Sequence, residues 1–189
     1  WRMTGPLVGQ TALVTGASSG LGERFAKVLA ANGASVALVA RRKERIEALA
    51  KKIEAAGGKA TAIVADVTDR AAMAKAFDAA EKAFGTVTIL INNAGVAHST
   101  RAIELTEQEY RRVLDTNLDA VFFNAQEAAK RMIAAGKKGA IVNTASVLGL
   151  GVSKGTAAYA IAKAGVIQAT RALALELAFK GVRVNAIAP

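Results

Sequence analysis

An α/β protein, with a parallel sheet carrying helices on both faces, is what three observations predict. Six short apolar runs, rich in Val, Ile, Leu and Ala, recur along the 189 residues. Longer amphipathic stretches separate them. The runs are apolar throughout, as strands buried on both faces must be, whereas a strand with one wet face alternates. Parallel neighbours need right-handed crossovers, so the expected fold is a doubly wound parallel sheet.

TALVTG (11–16) is the first strand, with a helix at 21–32 after it. SVALVA (35–40) is the second, and its helix runs to residue 56. ATAIVA (60–65) precedes a helix at 69–84, and VTILIN (87–92) precedes a long helix at 107–135. GAIVNTAS (139–146) is the fifth strand, a helix follows at 156–179, and VRVNAIA (182–188) is the sixth. There is no linker, repeat or low-complexity segment, so residues 1–189 read as a single domain.

Composition narrows the function classes. The chain is 52% hydrophobic, yet no apolar run reaches the roughly 18–20 residues of a membrane span. It has no Cys and one His, His98, which excludes thiolate and His-cluster metal sites. The opening stretch WRMTGPLVGQ lacks the apolar core of a signal peptide, so the expectation is a cytoplasmic protein with no membrane partner. The net charge of +10 raises nucleic acid as a partner. Against it, the basic residues cluster in RRKER, KK and KR on expected helix faces and turns. One Trp, two Tyr and six Phe supply no basic–aromatic interleaving for base stacking. No nucleic-acid partner is expected.

A doubly wound sheet binds its ligand at the C-terminal ends of its strands, and the polar motifs fall there. After the first strand comes TGASSGLG, with Gly16, Gly20 and Gly22. Glycines allow a tight turn and close approach to a pyrophosphate, and the following helix N-terminus offers free N–H groups. The spacing G-x-x-x-G-x-G differs from the usual dinucleotide fingerprint; an ordinary strand-to-helix turn would read the same way. Asp66, after the third strand, is placed to accept a hydrogen bond from an adenine amine or to cap a helix. NNAG (92–95) can tie neighbouring loops together, with Gly95 leaving room for a flat ring. Asn117 lies inside the long helix, where its amide competes for backbone hydrogen bonds. It is either solvent-facing or marks a helical defect that frees one carbonyl.

Between Thr156 and Ala169 only Tyr159 and Lys163 are ionisable. At i and i+4 they share one helix face. An ammonium beside a phenol favours the phenolate, which suits proton transfer; taken alone, the pair also reads as a Tyr at a helix edge and a Lys in solvent. Ser146, at the end of the fifth strand, is close enough in sequence for its hydroxyl to converge with the phenol on one carbonyl oxygen.

TGASSGLG, NNAG, Asn117, Ser146, YAIAK and VNAIAP together resemble the classical short-chain dehydrogenase/reductase family over essentially the whole chain. The resemblance implies a Rossmann-type fold, a nicotinamide cofactor, and hydride transfer between a carbonyl (ketone or 3-oxoacyl type) and a secondary alcohol. It makes Tyr159 the general acid in reduction and the base in oxidation. Lys163 assists Tyr159 and holds the nicotinamide ribose. Ser146 positions the substrate oxygen, and Asn117 holds a relay water. Gly16, Ser18, Ser19, Gly20, Leu21, Gly22, Asp66, Val67, Asn93, Ala94, Gly95, Tyr159 and Lys163 then form the cofactor site. A homo-oligomer, tetramer or dimer, is implied, packed through the long helix and the Tyr-bearing helix. A dinucleotide-binding module without turnover is the alternative; the complete set Asn117, Ser146, Tyr159 and Lys163 argues against it.

Family members continue past the Pro of this last motif into a substrate-covering segment and a further strand, neither of which is present in these 189 residues. The loops GVAHST (95–100) and VLGLGVSKGT (147–156) are apolar with little charge, which favours a neutral or acyl-type substrate. His98 could touch substrate, but a solvated loop residue is the expected reading. The coenzyme turns on LVARRKE (38–44). An acid at the end of the second strand binds the ribose 2′-hydroxyl, whereas Arg accommodates a 2′-phosphate. No acid lies between Glu23 and Glu44. NADP(H) is therefore expected over NAD(H), with Arg41 as the main contact and Arg42 the second, although solvated charges on the first turn of the following helix would read the same way.

Overall fold

The computed structural model describes residues 5–189; residues 1–4, the start of the stretch read for a signal peptide, lie outside the described residues. Six strands form one parallel sheet: β1 (Thr11–Thr15), β2 (Ser35–Ala40), β3 (Lys59–Val64), β4 (Val87–Asn92), β5 (Gly139–Thr144) and β6 (Val182–Ile187). Their spatial order is β3-β2-β1-β4-β5-β6. The chain winds outward from β1 to β3, crosses back to β4, and winds the other way. The order reverses between β1 and β4, which places the ligand crevice at their C-terminal ends.

The helices are α1 (Gly20–Ala31), α2 (Lys43–Ala55), α3 (Arg70–Phe84), α4 (Glu107–Leu114), α5 (Ala120–Ala134) and α6 (Ala157–Leu177). All five residues of β1 and all six of β4 are buried, because each strand feeds two cores. On one face Leu13, Leu90 and Ile141 pack with Phe77 and Met73 of α3, Met132 of α5 and Leu173 of α6. On the other, Val14, Leu38 and Ile91 pack with Ala26 of α1 and Ile46 and Ile53 of α2. The core on this second face reaches Ile89 and Ile91 of β4. Among the described residues no helix packs on it over β5 and β6, where Ala140, Arg183 and Asn185 line an open groove.

Arg131 of α5 clamps α3. It donates to Asp78 and Glu81 at 2.7 and 2.8 Å and to Glu127 on its own helix at 2.6 Å. Burial would lower its pKa, but the three carboxylates prevail and raise it.

The long helix expected at 107–135 is three pieces. α4 starts on a capping box, Thr106 with Glu109. A π-helical turn then spans Asp115–Asp119 before α5 begins. The fifth strand ends at Thr144 rather than 146, because Ser146 caps a 3-10 turn, Val147–Gly149, accepting from the Leu148 amide at 3.2 Å. The last helix stays α-helical to Leu177 and tightens into a 3-10 turn that ends on Gly181, in the left-handed region at φ 73°.

Candidate active site

A cleft of about 340 Å³ opens where the sheet order reverses. Gly16, Ser18 and Ser19 from the turn after β1, Arg41 and Arg42 after β2, Asp66 and Val67 after β3, and Asn93, Ala94 and Gly95 after β4 all line it. Ala40, Ala65, Val96 and Thr116 line it as well, and the sequence reading missed them. The apolar ones among them carry no polar signature. Thr116, just before Asn117, enters from the π turn Asp115–Asp119.

The crevice walls are tied together by Thr15. Its hydroxyl accepts from the amides of Asn93 and Ala94 at 3.0 and 3.1 Å and donates to the Ile91 carbonyl at 3.3 Å. Asn93 Nδ2 returns to the Thr15 and Gly16 carbonyls at 3.2 and 3.4 Å. Thr15 and Asn93 thus fix the gap between the β1 turn and the β4 loop. A Cβ on Gly16 would lie 2.8 Å from Ala94 Cα, so the bare backbone is what lets these two loops approach. Gly22 serves packing: a Cβ there would meet the Gly16 carbonyl oxygen at 2.3 Å. Gly20, Leu21 and Gly22 open α1 but do not line the cleft.

Charge is distributed unevenly around this opening. Arg42 donates to Ser18 Oγ through Nε at 3.1 Å and Nη2 at 2.7 Å, and to Ser19 Oγ through Nη2 at 2.6 Å. Arg41 is the freer of the two, 73% exposed, with Nη1 3.5 Å from Asp66 Oδ2. Burial alone would raise the pKa of Asp66. The amide and hydroxyl of Thr68, at 3.0 and 2.8 Å from Oδ1, together with Arg41 hold it low.

Glycines that make a cradle, the N-terminus of α1 and two guanidinium groups are what an anionic dinucleotide requires, and the residues present fit one.

Asn117 is fully buried in the π turn. Its side chain closes both ends on one residue: Oδ1 accepts from the Val96 amide and Nδ2 donates to the Val96 carbonyl, each at 2.8 Å. The Asn is therefore not solvent-facing. It anchors the NNAG loop, and the π turn around it breaks the regular helix ladder, as such turns do at functional sites. Tyr159 and Lys163 sit one turn apart near the start of α6, with Lys163 Nζ 5.6 Å from the phenol ring centroid. Lys163 is 3% exposed and donates to the Thr144 carbonyl at 2.6 Å. Burial pulls its pKa down to about 8. Ser146 is buried two residues beyond Thr144. Asn117, Ser146, Tyr159 and Lys163 are not among the residues lining this cleft.

His98 is not the solvated residue expected. Its side chain is 16% exposed, held 3.0 Å from the Thr100 hydroxyl and 3.5 Å from Glu109. Among the described residues no helix is long and apolar enough to cross a membrane.

Fold and site define a dinucleotide-binding oxidoreductase. The short chain dehydrogenase family matches residues 10–189, and the chain belongs to that family. It is 41% identical to the 3-oxoacyl-[acyl-carrier-protein] reductase of Staphylococcus aureus over 95% of this chain and 73% of that protein. It is 40% identical to a cyclohexanol dehydrogenase of Acinetobacter, over 95% of this chain and 72% of that one. Among solved structures, a short-chain type dehydrogenase/reductase from Mycobacterium marinum superposes with a TM-score of 0.93 at 36% identity, over 97% of this chain and 73% of that one. A short chain dehydrogenase from Mycobacterium smegmatis gives 0.95 at 34%, over 98% and 78%. The protein is an NAD(P)(H)-dependent oxidoreductase that interconverts a carbonyl and a secondary alcohol by hydride transfer.

Proposed function

We propose that Tyr159 is the proton donor in reduction and the acceptor in oxidation, and that the enzyme prefers NADP(H). The cofactor, when bound, supplies the hydride; the chain supplies position and charge. Lys163 presents a buried cation one turn from the phenol and favours its ionised form. Ser146, on the segment that also provides the carbonyl anchoring Lys163, orients the substrate oxygen toward Tyr159. Asn117 holds the Val96 backbone of the loop that would border the nicotinamide, and its π turn would offer a carbonyl to a relay water. Gly16, Ser18, Ser19, Gly20, Leu21, Gly22, Asp66, Val67, Asn93, Ala94 and Gly95 hold the cofactor, with Arg41 and Arg42 at its 2′-phosphate. The observation that most supports this reading is the burial of Lys163. An ammonium is kept 3% exposed on a helix of Ala, Ile and Val at the expense of its hydration.

The substrate is a neutral ketone or a 3-oxoacyl compound. Val147, Leu150 and Val152 expose apolar surface on the loop beyond Ser146, at 58%, 73% and 88%. That surface suits an acyl or alicyclic chain, in keeping with the names of the relatives. Residues 1–189 act as one domain, in a cytoplasmic dimer or tetramer formed by copies of this chain.

Tyr159→Phe tests the central assignment. It keeps the ring and removes the proton carrier. Turnover should fall about 10²–10⁴-fold while cofactor titration is unchanged. Turnover within about tenfold of the parent would remove Tyr159 from this role.

A further inference from the structure

The interior behind the site contains polar groups that neither the cofactor cleft nor the proton relay uses. Asn92, Asn143 and Thr170 are 2%, 0% and 7% exposed, on β4, β5 and α6. They form a continuous chain. Asn92 Nδ2 donates to the Val121 carbonyl of α5 and to Asn143 Oδ1, both at 3.0 Å. Asn143 Nδ2 donates to Thr170 Oγ1 at 2.9 Å, and Thr170 Oγ1 donates to the Val166 carbonyl at 2.7 Å. A buried polar chain specifies one arrangement of the elements it joins where its groups are matched; the side-chain groups of Asn143 and Thr170 are all bonded, whereas Asn92 Oδ1 has no partner among the described residues.

The elements joined are those that carry the chemistry. Tyr159, Lys163 and Thr170 are four and seven residues apart along α6. At 100° per residue they fall within roughly 40° of one another, on one face. On the facing strand, Asn143 holds Thr170 and the next residue, Thr144, holds Lys163. Ser146 follows on the same segment. The two contacts differ in stiffness. Lys163 reaches its acceptor through a long, flexible stem, which tolerates sliding of the helix. Thr170 and Asn143 are short, so their bond fixes how far α6 is advanced along β5. Any slide of α6 would move the phenol of Tyr159 directly relative to Ser146. Asn92 fixes Asn143 from the other side and joins it to α5 directly beyond the π turn of Asn117.

We propose that Asn143 and Thr170 are positioning residues, a strand-to-helix pin that sets Tyr159 and Lys163 against Ser146. This rests on the reading of Tyr159 and Lys163 given above.

The test compares Thr170→Val, Thr170→Ser, Asn143→Ser and Tyr159→Phe in the intact chain, on any alcohol the enzyme oxidises. Thr170→Val keeps shape and removes the acceptor. A misplacement of about 1 Å costs about 10²-fold in rate. The expected result is a kcat lowered roughly 10- to 100-fold, a pH–rate profile displaced to higher pH, and an unchanged cofactor dissociation constant by fluorescence. Thr170→Ser should restore the parent profile. Asn143→Ser breaks the same bond from the strand and leaves Thr170 bonded to Val166; it should reproduce the profile of Thr170→Val and stands in for it should that variant not fold. A purely structural role would lower the melting temperature but leave the kcat and pH profile of folded protein as they were, and that result would overturn the proposal. If Tyr159→Phe is inactive while both pin variants match the parent, the pin alone fails. If Tyr159→Phe retains turnover, the reading beneath it fails as well.

Discussion

Lys163 Nζ ends on the carbonyl oxygen of Thr144, 2.6 Å away, and among the described residues it forms no ion pair with a carboxylate. A buried ammonium held by a carbonyl rather than by a carboxylate is a cost to the fold. Its value has to be sought one turn away, at Tyr159.

The cost has a measurable signature. Burial brings the Lys163 pKa from the ordinary 10.5 to about 8. Between those values the unfolded chain binds a proton that the folded chain has released. Stability therefore rises with pH from about 8 to about 10.5, by about 3 kcal/mol at ~1.36 kcal/mol per pH unit. Below pH 8 both states are protonated and the full penalty remains. Lys163→Met should flatten this rise and be more stable than the parent at pH 7, while losing turnover and cofactor affinity. Urea unfolding of both proteins at pH 7, 8, 9 and 10 checks it. Identical pH slopes for parent and variant would refute the account.

The glycine turn makes a steric prediction. A Cβ on Gly22 would stand 2.3 Å from the Gly16 carbonyl oxygen and 2.5 Å from Asn93 Nδ2. Asn93 cannot simply rotate away, because Nδ2 is bonded to the Thr15 and Gly16 carbonyls. Either α1 backs off from the turn or the β1–β4 tie opens. Overpacking of this kind costs about 1–3 kcal/mol, which for a chain of this length lowers Tm by about 2–4 °C per kcal/mol. Gly22→Ala should show that fall and bind cofactor more weakly. Gly151→Ala is the control, since its nearest neighbour would be the Val147 carbonyl at 3.8 Å. Equal behaviour of the two variants in melting and in cofactor titration would show that the turn tolerates the side chain.

Much of this site was legible because its chemistry conflicts with its surroundings. Lys163 on an apolar helix and Asn117 inside a helix are each unfavourable locally, and such residues mark a demand from elsewhere in the fold. The strands were legible because burial on both faces writes them as unbroken apolar runs. What the sequence concealed was pairing. Asn143 in GAIVNTAS reads as one polar residue in a strand; that it faces Asn92 and Thr170, 51 and 27 residues away, follows only from sheet order and helix phase. The helical defect at Asn117 was one of the two readings its sequence left open; its extent, Asp115–Asp119, was hidden because a π turn changes the hydrogen-bond ladder without a Gly or Pro to mark it. His98 looked like a solvated loop residue because Glu109, the partner that shelters it, belongs to the capping box of α4.

The coenzyme preference is the prediction in which the two arginines separate. Arg42 is already committed to the phosphate turn through Ser18 and Ser19, at 2.7 and 2.6 Å. Arg41 is exposed and only loosely paired, 3.5 Å from Asp66. A 2′-phosphate arriving between them would gain two charge-assisted hydrogen bonds of roughly 1.5–3 kcal/mol each. After losses this gives a preference for NADPH over NADH of about ten- to a thousandfold, at ~1.4 kcal/mol per tenfold. Arg41→Ala should weaken NADPH selectively, because it removes one bond and leaves the Asp66 carboxylate unneutralised beside the phosphate. Arg42→Ala should weaken both cofactors, because Ser18 and Ser19 lose the group that orients them. Fluorescence titration of NADPH and NADH against the parent and both variants reads all of these. Equal affinities in the parent, or tighter NADH, would reject the preference. An unchanged ratio in Arg41→Ala would move the phosphate contact to Arg42.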